Sequence, residues 1–302
     1  MEFGKLPNVD QIDFGLPPET EVTRERLGRF ANDERPIVRL GAARWVDPGF
    51  VGKIYPPGTR GLKALQRYVE QFDCIELNAT FYGVDRERIR IWAQQAPESF
   101  RFAPKVPRSI THDNRLRNVE ELVDDWVEAL QGFGDRLGHT WLLLPEDFAA
   151  HDGGFDRLRD VLERLVERVP TAVELRDPSW FGPARSAVFS MCHDLGVSTI
   201  LTDVAGRRDV AHMEPTTETF LLRFVGNRLH HSDRPRLDAW VDRIAHWFEL
   251  GLREVQIWLH QPADHLVVEL AEHIGPKLAR RLDIDLRVPQ RVTVPKQLDL
   301  FG

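Results

Sequence analysis

Short segments throughout this chain alternate apolar and polar residues, and their apolar members are mostly aliphatic. In residues 74–82, Ile75, Leu77, Ala79 and Phe81 are apolar, whereas Glu76, Asn78 and Thr80 are polar. Extended backbone sends neighbouring side chains to opposite faces, so a period of two separates the sets. The same asymmetry recurs in residues 172–176, 221–224 and 255–260. A single edge strand with one wet face would give the pattern once. A ring of strands, with aliphatics toward outer helices and polar groups inward, gives it in strand after strand. The stretch 74–82 is therefore read as the organising strand of a barrel whose lumen carries the chemistry.

Helical patterns separate these segments. Strands are expected at 37–45, 74–82, 100–106, 139–145, 171–177, 197–203, 220–226 and 254–261. Helices are expected at 21–30, 62–72, 86–96, 119–133, 155–169, 184–195, 237–250 and 266–281. In the fourth of these, Val119, Leu122, Val123, Trp126, Val127 and Leu130 form one apolar stripe. Residues 204–217 leave little room for a full helix, so that crossover should be abbreviated. Strands alternating with helices imply a parallel sheet with right-handed crossovers. The expected fold is α/β, a (β/α)8 TIM-type barrel over 37–282, with an irregular N-terminal extension (1–36) and a C-terminal tail (283–302). A doubly wound open sheet is the alternative. Gly-x-Gly-x-x-Gly and Gly-x-x-x-x-Gly-Lys-Ser/Thr are both absent, which weakens the usual nucleotide-binding readings.

At 302 residues and 42% hydrophobic content, the chain can fill one such barrel. No apolar run is long enough to span a bilayer, and the start of the chain does not resemble a signal peptide. The two cysteines, Cys74 and Cys192, have no metal-ligand spacing. A cytoplasmic location and no membrane partner are expected. The net charge of −7 argues against nonspecific wrapping by nucleic acid while leaving room for a local basic site.

In parallel barrels the working groups sit at the C-terminal ends of strands and in the loops just after them. That rule collects Trp45, Glu76, Asn78, Thr80, Tyr82, Lys105, His112, Glu174, Arg176, Asp203, Arg223, His260 and Gln261. Parity puts Glu76, Asn78, Thr80, Glu174, Arg176, Arg223 and His260 inside. Three acids (Glu76, Glu174, Asp203) are then expected to share one mouth with three cations (Lys105, Arg176, Arg223). Buried charges must be paired, hydrated or ligand-bound, and the planar fork of Arg suits phosphate or carboxylate. Glu76 and Glu174 are the candidates to move a proton. The competing reading makes these charges structural ion pairs. Asp203, Glu174, Glu76 and His260 would be the ligands of a divalent metal, a cofactor not favoured because no i,i+4 His pair or Cys cluster accompanies them. His112 can cap a helix or touch a ligand, and His230-His231 reads as a solvated loop.

Several phrases resemble the YecE-like family, also called domain of unknown function 72. They are the run 74–82, Val173-Glu174-Leu175-Arg176-Asp177-Pro178-Ser179-Trp180-Phe181, Tyr55-Pro56-Pro57-Gly58, Lys105 and Thr111-His112. The resemblance spans roughly residues 37–280. It implies a TIM barrel without an established activity, loosely grouped with sugar-isomerase-like barrels. This chain departs from the family pattern at Gly41-Ala42-Ala43-Arg44-Trp45, Leu143-Leu144-Pro145-Glu146, Arg223-Phe224-Val225-Gly226 and Leu259-His260-Gln261. The last two put in doubt any mechanism that needs the family's His or Asn pair there.

The tail carries a separate signal. Gln297, Leu298, Asp299, Leu300 and Phe301 resemble the bacterial sliding-clamp-binding motif, with Leu298, Leu300 and Phe301 offered to an apolar cleft and Gln297 at its edge. The chain from about Gln290 onward is expected to be poorly packed. Two functional classes follow: an enzyme acting on a phosphorylated or otherwise anionic substrate, DNA-derived or small, or a noncatalytic module that binds such a ligand while docked on the clamp. A sugar-isomerase-like enzyme is the weaker third.

Overall fold

The computed structural model describes residues 3–31 and 34–293. In chain order the elements are α1 (Glu21–Phe30), β1 (Ile37–Ala42), α2 (Leu62–Gln71), β2 (Cys74–Leu77), α3 (Ala79–Tyr82), α4 (Arg86–Gln94), β3 (Arg101–Pro104), α5 (Glu120–Leu130) and β4 (Thr140–Leu143). Then come α6 (Gly154–Val166), β5 (Thr171–Glu174), α7 (Arg185–Leu195), β6 (Ser198–Asp203), β7 (Thr219–Val225), α8 (Asp233–Leu250), β8 (Glu254–His260) and α9 (Val267–Leu282). The strands form one eight-stranded parallel sheet in the order β3-β2-β1-β8-β7-β6-β5-β4. The sheet curls until its ends meet, and the seam is held by Gly138 N to Phe102 O (2.7 Å) and Val106 N to Trp141 O (2.9 Å). This is the (β/α)8 barrel. Gly41 lets β1 and β2 close up, since a Cβ there would lie 2.2 Å from the Cys74 carbonyl oxygen.

The period of two sorts side chains as the sequence requires. Outward aliphatics such as Leu40, Ile75, Val173, Leu222 and Ile257 join the helices in the main core. Inside, Cys74, Ala103, Trp141, Leu143, Ala172, Ile200, Leu221 and Trp258 form a mostly apolar plug. Below the plug, Glu254 accepts from Arg39 (3.0 Å) and Gln256 (2.9 Å). Above it, at the C-terminal ends of the strands, the lumen turns polar.

The stretch 74–82 is not one strand. β2 ends at Leu77, Asn78 takes helical backbone angles, and α3 follows at once. The Thr80 hydroxyl donates to the carbonyls of Leu77 (3.1 Å) and Lys105 (2.8 Å), a local bond that draws the backbone out of the ladder.

Crossover β6–β7 lacks a helix, as its length required, and holds only a 3-10 turn at Arg208–Val210. α1 fills the vacant place. From it, Arg26 reaches Ser190 of α7 (3.3 Å), and just before it Glu19 pairs with Arg243 (3.4 Å) and His246 (3.1 Å) of α8. Buried Glu214 of the crossover accepts from Thr23 (2.8 Å), Arg26 (3.3 Å) and Arg185 (3.0 Å). After α9 the chain runs back along the barrel. Gln290 N donates to Gln71 (2.7 Å), Val292 N donates to the Lys53 carbonyl (2.8 Å), and Arg291 pairs with Glu269 and Glu272. Up to Thr293 this segment is therefore tied down rather than loosely packed. Residues 297–301, which carry the clamp-like motif, lie outside the described residues.

Candidate functional site

β2, β5, β7 and β8 each deliver one inward side chain to the polar layer: Glu76, Glu174, Arg223 and His260. Arg223 is sealed from solvent and forks onto Glu76, Nε to Oε2 at 2.8 Å and Nη2 to Oε1 at 3.3 Å. Its Nη1 lies 3.5 Å from Glu174 Oε1, and its guanidinium sits 4.7 Å above the Trp141 ring centre. His260 Nε2 is 2.6 Å from Glu76 Oε2, and Asn78 Nδ2 donates to Glu76 Oε1 at 2.8 Å. Glu174 Oε1 also accepts from Arg176 Nε (2.8 Å) and the Thr202 hydroxyl (2.9 Å). Glu174 Oε2 is buried and has no hydrogen-bond partner among the described residues.

Burial alone would raise both carboxylates. At Glu76 the charges of Arg223 and His260 outweigh it and hold the group well below the usual carboxylate range. At Glu174, Arg176 and Arg223 outweigh burial and hold the group below its usual range. Both are ionised at neutral pH, so neither stands ready as a proton donor.

Lys105 differs from the two arginines. It is buried just after β3, with its amine 4.0 Å from the Phe81 ring centre and 4.7 Å from that of Trp141. Among the described residues the amine makes no hydrogen bond or ion pair. Burial, reinforced by Arg223 and Arg176 against the pull of Glu76 and Glu174, pushes its pKa down to about 8. His112, in the one-turn π-helix Ser109–Asp113 behind it, packs on Phe81 and shares a 2.8 Å hydrogen bond with Thr111. Burial and the charge of Lys105 lower it to about 4, leaving it neutral at pH 7.

The structure thus brings together Glu76, Asn78, Lys105, Glu174, Arg176, Arg223 and His260, with His112 beside them. Asn78 arrives from the turn into α3 and not by strand parity. Other expected members lie elsewhere. Asp203 points out of the barrel into the α8 layer, where the Trp240 indole donates to it (2.8 Å) and Arg236 (3.0 Å) and Arg208 neutralise its charge. Its outward turn also breaks up the metal-ligand set of Glu76, Glu174, Asp203 and His260. Thr80 is buried, but its hydroxyl is committed to backbone. Tyr82 is 76% exposed, on α3. Trp45 packs edge-on against Trp92 of α4 at 5.3 Å.

Four residues of the site escaped sequence reasoning. Thr202 was findable, because it shares strand parity with inward Ile200. Trp141, one layer deeper, forms the aromatic floor beneath Arg223 and Lys105. Phe81 lies beyond the strand end that parity assumed. The fourth, Phe3, lies buried 4.1 Å from the Arg176 guanidinium, and no local pattern could announce a contact so distant in sequence.

Comparison with known proteins places the chain in a family and supports its fold. The family model described as "Protein of unknown function DUF72" matches residues 39–293. UPF0759 protein YecE of Escherichia coli K12 is 26% identical over 286 residues, covering 88% of this chain and 100% of that protein. UPF0759 protein YunF of Bacillus subtilis 168 is 29% identical over 154 residues, 49% of this chain and 53% of that protein. Among solved structures, a DUF72 protein from Enterococcus faecalis V583 superposes with a TM-score of 0.62 at 18% identity, over 87% of this chain and 100% of that one. One from Thermotoga maritima MSB8 gives 0.56 at 20% identity, over 82% and 97%. These structures speak for the barrel fold alone.

Proposed function

This chain belongs to the DUF72 family of proteins of unknown function, and on that premise we propose, from its own site, that the barrel mouth is a receptor for a small anionic ligand. Phosphate-bearing compounds are the leading class, a DNA-derived fragment included. The observation that carries this reading is Lys105. Three cations (Lys105, Arg176, Arg223) face two carboxylates (Glu76, Glu174) in the polar layer, and the arginines already hold the carboxylates. The surplus charge is the buried amine of Lys105. A buried cation without a carboxylate partner is costly, and an anion against it removes that cost. Glu174 Oε2 is the natural acceptor for a hydroxyl on the same ligand, and the residue through which a proton would move if the ligand is also a substrate.

Inorganic phosphate tests the receptor directly. At constant ionic strength it should raise the melting temperature, since a ligand that binds only the folded state stabilises it by mass action, about 2.7 kcal/mol at a hundredfold excess over Kd. Lys105→Met should lose that protection while Arg44→Ala, on the exposed rim, keeps it. Equal protection of wild type and Lys105→Met, or none in wild type, removes the reading. Recruitment to the bacterial sliding clamp is the other half of the proposal, and its support is the sequence of residues 297–301.

A further inference from the structure

We infer that Asp10, His230 and His231 form a binding site for a divalent first-row transition-metal ion, Zn2+ being the natural probe, and that the ion fastens the N-terminal segment across the barrel mouth. Read in sequence, His230-His231 is a solvated loop and Asp10 belongs to an irregular lead. The fold brings them together: one ligand atom from each lies within 4.8 Å of the other two. His230 Nε2 is 3.0 Å from Asp10 Oδ1, and the His231 ring centre is 4.0 Å from that of His230. On the far side of the ring, His230 Nδ1 is 2.9 Å from the Ser232 hydroxyl. Ser232 N also donates to Nδ1 at 3.3 Å, and Nε2 faces Asp10. On metal binding the proton would move to Nδ1, where the Ser232 hydroxyl can accept it, as the second nitrogen of a ligating histidine requires.

Donor chemistry selects the ion. Two imidazoles and a carboxylate suit Zn2+ and its neighbours, with water completing the shell, whereas Mg2+ and Ca2+ call for oxygen-rich sets. The position gives the site its consequence. Asp10 lies seven residues after Phe3, which rests on Arg176 of the polar layer, and the Gly4 carbonyl accepts from Gly206 N at 2.7 Å. The histidines stand in the loop between β7 and α8, on the same end of the barrel. A metal bridging Asp10 to this loop would hold the segment from Phe3 to Asp10 closed over the mouth.

The test uses the full chain, freed of metal with chelator and titrated calorimetrically with ZnCl2. One equivalent should bind, and His231→Ala and Asp10→Ala should each weaken it at least tenfold. Both side chains are exposed, so the melting temperature in chelator should not change and folding is not in question. Zn2+ should also slow proteolysis within residues 3–20 of the wild type by several-fold and leave both variants unaffected, and MgCl2 should do neither. Zn2+ binding that survives both substitutions, or no stoichiometric binding by the wild type, overturns the inference.

Discussion

Arg223 and Glu76, 147 positions apart, meet in a two-pronged ion pair at 2.8 and 3.3 Å with neither side chain open to solvent. The pair ties β7 to β2 across the lumen, and Glu174 at 3.5 Å extends it toward β5. Arg223 is thereby a strut of the barrel, which leaves Lys105 as the cation for the proposed anion receptor.

Arg223→Met should therefore destabilise the barrel by about 3–5 kcal/mol, because buried Glu76 loses its guanidinium partner. Urea unfolding measures it. Adding Glu76→Gln should recover part of the loss, and a double variant as unstable as the sum of the singles would show that the two residues do not act as a pair.

Acid should unfold the protein through the same network. Glu76 and Glu174 both lie below their ordinary value of 4.5 in the folded state. Their contribution is complete above pH 4.5 and is lost as pH falls through the folded values, where the unfolded chain binds more protons. The melting temperature should hardly respond to these groups between pH 7 and 5 and should drop below pH 4.5. Glu76→Gln should flatten that acid limb.

Lys105 has the opposite sign. Its folded pKa of about 8 lies below the ordinary 10.5, so burying the charge costs stability at every pH below 8 and the cost fades between 8 and 10.5. Lys105→Met should raise the ligand-free melting temperature at pH 7 while abolishing protection by phosphate. In wild type, phosphate affinity should fall about tenfold per pH unit above 8, as the amine loses its proton. Affinity constant to pH 9.5 would assign the binding to another group.

Glu214 holds α1 in the place of the missing crossover helix. Glu214→Ala should cost about 3–5 kcal/mol, since Arg26, itself buried, loses its carboxylate. Limited proteolysis should then cut first in the segment before β1. Cleavage that starts elsewhere would show that α1 stays docked without this carboxylate.

For the tail, calorimetry with a bacterial sliding clamp should show micromolar affinity, about −8 kcal/mol, as suits a short linear peptide. Gln297→Ala should abolish it without changing the melting temperature. Equal binding by both, or by neither, would leave residues 297–301 without a partner role.

The sequence by itself determined the barrel. Period-two alternation in segments 172–176, 221–224 and 255–260 fixes which side chains face the lumen, because extended backbone leaves each residue only two directions to point. That was enough to place Glu76, Glu174, Arg223 and His260 on one inner surface. Tertiary structure decided the rest wherever the strand ended or a distant segment intervened. Past Leu77 parity stops, because the Thr80 hydroxyl captures two carbonyls and starts a helix, so Tyr82 faces solvent. At the last residue of β6, one step separates inward Thr202 from outward Asp203, and the packing of Trp240 and Arg236 fixes Asp203 in the helix layer. Which cation keeps its charge unpaired depends on distances across the lumen, and no local pattern contains those. The approach of Phe3 to Arg176, and of Asp10 to His230, follows from where α1 docks, a contact bought by burial between elements nearly two hundred residues apart.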